Sequence, residues 1–137
     1  MNAKDKLKFL MGAKTRRLWL LGVKNWHLYY TPEDAEEIDR WDEIDADKIW
    51  SEIRRYIFEC RVSGLTSRTC PWCNYDLGCG ECGYAKRHFF CCADHGSDYS
   101  RITWNLRRKW PYIDKFWHRV CFPNEWYRKV VERMENE

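Results

Sequence analysis

Two Cys-x-x-Cys turns, Cys70-Pro71-Trp72-Cys73 and Cys79-Gly80-Glu81-Cys82, constrain this chain more than any other feature. Each turn points two thiolates at one ion, and two turns complete the tetrahedral set of a structural zinc. The five residues between them suffice to reverse the chain, at about 3.3 Å per residue. Gly78, Gly80 and Gly83 permit tight turns around the second pair. His88, Cys91, Cys92 and His95 follow as further ligand candidates. The expected site uses Cys70, Cys73, Cys79 and Cys82, with Cys91, Cys92 and His95 as alternates. An iron–sulfur cluster also takes four thiolates and is the alternative cofactor. The Cys-x2-Cys-x2-Cys run common in bacterial clusters is absent, which favours zinc. A redox dithiol at Cys70 and Cys73 would need a preceding strand, and no such pattern is found. Four thiolates leave no open coordination position, so the metal is expected to be structural. Residues 65–97 hold six cysteines and little apolar periodicity, so metal binding would supply the folding free energy that burial does not.

The flanks read as helices. The expected fold is mainly α: a small helical domain built around a loop-rich, Cys-ligated metal knuckle. One domain spans 1–137, with a helical part at 1–64, the knuckle at 65–97 and a second helical part at 98–137. Residues 4–22 form a basic amphipathic pattern carrying Leu7, Leu10, Met11, Leu18 and Leu21, with a break near Gly12 and a stop at Gly22. Trp26 to Tyr30 fits a strand or an extended connector. Thr31-Pro32-Glu33-Asp34 is a strong helix start: Thr31 caps, Pro32 suits the first position, and the acids favour the positive dipole end. Ala35, Ile38 and Trp41 follow at helical spacing. A further start is expected at Asp45, followed by Ala46, Ile49, Trp50, Ile53, Tyr56, Ile57 and Cys60 on one stripe and a stop at Gly64. Cys60 reads as a buried thiol rather than a ligand. Helical patterning returns at Asp98, with Tyr99, Ile102, Leu106 and Trp110 on one face. A short helix from Pro111 to Val120 and a last one from Pro123, carrying Trp126, Val130, Val131 and Met134, complete the expectation.

Charge divides the function classes. Residues 1–30 carry seven bases and one acid, whereas residues 31–52 carry ten acids and two bases. Such asymmetry points to a charged partner or to basic and acidic segments packed side by side. Aromatics at 17% exclude global disorder. Lys14, Arg16 and Arg17 interrupt the apolar run Phe9 to Val23, so neither a signal peptide nor a span of roughly 20 apolar residues is expected. The expected location is cytoplasmic, with no membrane contact. There is no phosphate loop, dinucleotide fingerprint or readable catalytic triad. A non-enzymatic binding protein that contacts nucleic acid or a host nucleoprotein complex is the expectation, with Lys14, Arg16, Arg17, Arg107, Arg108 and Lys109 as phosphate contacts and exposed aromatics as base platforms. The alternatives are a protein that blocks a host protein complex through an acidic or aromatic surface, and an iron–sulfur redox protein.

Cys70, Cys73, Cys79, Cys82, a further thiol at Cys91 or Cys92, then Ser97, Tyr99 and Trp104 form an ordered pattern. It resembles small uncharacterised Cys-rich proteins of phages and mobile elements, over about a quarter of the chain. Gly83 stands where that pattern has Pro, and Cys91-Cys92 is doubled. The resemblance implies a small accessory protein rather than a metabolic enzyme.

Overall fold

Asn2 opens the first helix by accepting the Asp5 N–H at 2.9 Å. The computed structural model describes residues 1–23, 29–59, 98–110 and 124–137. Helix α1, Ala3–Leu20, runs unbroken through Gly12, where the sequence suggested a break. It ends at Gly22, whose φ of 74° lies in the left-handed region that a side chain would disfavour. The Val23 N–H donates back to the Leu18 carbonyl at 3.0 Å and closes the end.

Helix α2, Pro32–Asp39, begins as the sequence predicts and with a reciprocal lock. Thr31 Oγ1 accepts the Asp34 N–H at 3.3 Å, and the Asp34 carboxylate accepts the Thr31 N–H at 2.8 Å. Thr31→Ala removes the side-chain half of this lock. It is expected to cost about 1 kcal/mol, read as a lower urea midpoint at unchanged slope.

Helix α3, Glu43–Glu59, starts two residues before Asp45, the predicted start. Asp42 supplies the cap: its carboxylate accepts the N–H groups of Ile44 at 2.9 Å and Asp45 at 3.4 Å. Six predicted stripe residues, Ala46, Ile49, Trp50, Ile53, Tyr56 and Ile57, are buried. The stripe makes α3 the centre of the packing. Helices α4, Asp98–Lys109, and α5, Asn124–Glu135, pack on it together with α1. From α4 come Ile102 and Leu106, with Trp110 just past its end; from α5 come Val131, Met134 and Tyr127, the last absent from the predicted set. All these residues belong to one hydrophobic cluster.

Polar interactions set the order of the helices around that core. Arg128 of α5 donates to the carbonyls of Ile57 and Phe58 at 3.1 and 2.9 Å, satisfying acceptors in the last turn of α3. Arg54 grips Glu135 through two nitrogens at 2.8 and 3.2 Å. This hydrogen bonding holds the Glu135 carboxyl below its ordinary range. Lys4 lies 3.6 Å from Glu43, and Lys8 pairs with Asp39. Part of the charge asymmetry is therefore resolved inside the fold, with basic α1 alongside the acidic segment. On α4, Lys109 pairs with Asp45 at 2.6 Å, and Arg101 and Asn105 reach Glu52. Rising numbers on α3 meet falling numbers on α4, so the two helices are antiparallel.

The described residues are mainly helical and include no strand. None of their helices is long and apolar enough to cross a membrane. Cys60, Gly64, the knuckle at 65–97 and the predicted helix from Pro111 lie outside the described residues.

Candidate functional site

Helix α4 positions its side chains by simple rotation. Ile102, Leu106 and Trp110 recur at steps of four and face α3. The opposite side therefore carries Arg101, Trp104 and Arg108, at spacings of three and four. All three are exposed, Trp104 at 62%. Arg107, also exposed, lies one turn beyond Trp104. Trp19 of α1, 68% exposed, is the other open indole among the described residues, but only Trp104 stands on a helical face between arginines one turn to either side.

The helix dipole alone places some of these bases. The last turn of a helix favours cations, by about 0.3–1 kcal/mol each, which accounts for Arg107, Arg108 and Lys109 without any ligand. It does not account for Arg101, which sits near the start of α4, where a base opposes the dipole. Its partner Glu52 is 3.9 Å away, so that ion pair is weak. Arg107 and Arg108 form no ion pair with a carboxylate among the described residues.

Beside this face, α3 and α4 enclose a polar notch of about 40 Å³ lined by Asp45, Lys48, Ile49, Asn105, Arg108 and Lys109. Asp45 is occupied by Lys109, whose hydrogen bond holds its carboxyl below the ordinary range. Asn105 is tied to Glu52. Among the described residues, Lys48 and Arg108 are left as the unpaired cations of the notch.

The predicted phosphate contacts are thus divided. Arg107 and Arg108 stand on the open face. Lys109 is turned into the Asp45 pair. Arg16 and Arg17 belong to α1, where Arg17 is exposed. Lys14 must be withdrawn: it is 2% exposed and belongs to the core side of α1. Its position, with Leu7, Leu10, Met11 and Leu18, puts it on the buried stripe of α1. Arg16 lines a second feature, a groove of about 250 Å³ between α1 and α5. Phe9, Ala13, Trp126 and Val130 give that groove an apolar lining; Arg16, Lys129 and Arg133 give it positive charge.

The proposed ligands Cys70, Cys73, Cys79 and Cys82, and the alternates Cys91, Cys92 and His95, lie outside the described residues. Among the described residues no cluster of His, Cys, Asp or Glu could hold a metal ion.

No family model, curated protein or solved structure matches this chain. Its chemistry must therefore be read from the side chains. The face of α4 offers fixed positive charge around an open aromatic ring. That suits binding of an anion bearing flat rings and supplies no acid, base or nucleophile. Sequence reasoning missed Arg101 and Lys48 and did not place Trp104 in the site. The signal was present for α4: residues 101, 104 and 108 have helical spacing opposite the stripe 102, 106 and 110.

Proposed function

We propose that this protein binds nucleic acid through the outward face of α4, and that a structural zinc on Cys70, Cys73, Cys79 and Cys82 organises the segment before it. The observation that carries the binding reading is the exposed Trp104 set among Arg101, Arg107 and Arg108. Arginines neutralise phosphates, which supplies most sequence-independent affinity. The ring gives a stacking surface that any base can use. A net charge of only +3 is no obstacle, since the local field around a surface steers a ligand. A small accessory protein, as the resemblance to phage and mobile-element proteins implies, has use for such a surface.

The test is the salt dependence of binding to labelled mixed-sequence DNA carrying both duplex and single-stranded parts. Replacing Arg101, Arg107 and Arg108 together with Ala is expected to weaken binding. It should also flatten the plot of log affinity against log salt by about 0.7–0.9 for each phosphate no longer neutralised. Unchanged affinity and slope would remove this face from the binding surface.

A protein partner is the second reading, and the groove between α1 and α5 favours it. Its apolar lining with three bases suits an acidic segment bearing an apolar side chain better than it suits a phosphate backbone.

A further inference from the structure

Resting on the nucleic-acid reading, we propose that the strand bound at α4 is single. The α3–α4 notch seats one phosphate, and Trp104 stacks the adjoining base.

The notch has the character of an anion seat. Asp45 and Lys109 neutralise each other at 2.6 Å, which leaves Lys48 from α3 and Arg108 from α4 as net positive charge. The notch's lining of charged and polar groups, with Ile49 the one apolar residue, suits a phosphate better than the flat face of a base. Arg108 links this seat to the ring, since it lines the notch and lies one turn from Trp104. Side chains so related have Cβ atoms about 5–6 Å apart, a distance that one nucleotide spans from phosphate to base.

The ring selects the single strand. In a duplex both faces of every base are covered, and opening a step for an inserted side chain costs a few kcal/mol. An unpaired base offers its face at no such cost, and its stacking on an aromatic ring strengthens binding without regard to sequence. The rival geometry places α4 in a major groove. That groove, about 12 Å wide, admits a helix whose polar side chains reach base edges. Here the middle of the outward stripe is a projecting indole, and Asn105, the side chain suited to adenine, is held by Glu52.

The experiment compares a labelled oligothymidylate, the same strand lacking its bases, and a duplex of equal length, at several salt concentrations. The full-length protein is expected to bind the oligothymidylate tightest. Trp104→Ala should weaken that binding about tenfold or more, leave the salt slope unchanged, and leave the abasic strand and the duplex unaffected. Trp104→Phe should restore most of the loss. Lys48→Ala or Arg108→Ala should lower the salt slope by about 0.7 for each phosphate released. Equal salt-dependent binding of all three probes, indifferent to Trp104→Ala, overturns the single-strand assignment and leaves the nucleic-acid reading standing. Absence of salt-dependent binding to any probe overturns both.

Discussion

Ile53→Ala is expected to destabilise the protein by about 3–4 kcal/mol, within the usual range for a large buried aliphatic truncated in a core. Ile53 is fully buried midway along α3, the helix on which α1, α4 and α5 pack. The carbons removed leave a cavity in a buried stripe, and a core relaxes only partially around such a deletion. Domains are stable by about 5–15 kcal/mol, so this single change removes a large share. Urea denaturation followed by helical circular dichroism measures it. Ile44→Ala is the matched control on the same helix, since Ile44 is 71% exposed and should change stability by less than about 0.5 kcal/mol. A loss below about 0.5 kcal/mol for Ile53→Ala would show that α3 is not the centre of the core.

One zinc per chain is expected in protein purified without oxygen, and Cys73→Ser or Cys82→Ser should abolish it. Ordering the backbone of residues 65–97 costs roughly 1–2 kcal/mol per residue, and the segment has few apolar side chains to offset that. A structural zinc site exists only when its segment is folded, so metal binding supplies folding free energy to that segment. Loss of metal should therefore open the segment to protease. A strong chelator should act likewise, and more readily as pH falls, because protons compete for the thiolates. Cys60→Ser should keep the metal. Elemental analysis and limited proteolysis read both effects. Metal-free purified protein, or four freely reactive thiols in a protease-resistant chain, would refute the site; iron with a brown colour would replace zinc by a cluster.

Much of the helical frame could be read locally. Thr31, Pro32 and Asp34 are neighbours whose capping needs no distant residue, and the stripe from Ala46 to Ile57 follows from period alone. The failures at Lys109 and Lys48 come from interactions made across the chain, whereas those at Lys14 and Asp42 are local. Lys14 looked like surface because it is charged, yet its register puts it on the buried side of α1. Lys109 looked like one of three equivalent bases, yet Asp45, on a helix far earlier in the sequence, claims it. Lys48 joins Arg108 only because α3 and α4 run side by side. Asp42 displaced Asp45 as the cap because either acid could begin that helix, and helix ends shift easily by a residue or two. Of the candidate binding face, the α4 stripe could be read from spacing, whereas the notch depends on a second helix and could not.

The antiparallel pairing of α3 with α4 bears on how this chain can vary. Glu59 and Asp98 sit at the same end of the pair, so the stretch between them leaves and re-enters the bundle at one place. Its length is uncoupled from the register of Asp45 with Lys109 and of Glu52 with Arg101. Doubling such a connection adds only about 0.6 kcal/mol of closure entropy. A change in the length of that connection therefore leaves the pairing of α3 with α4 as it is.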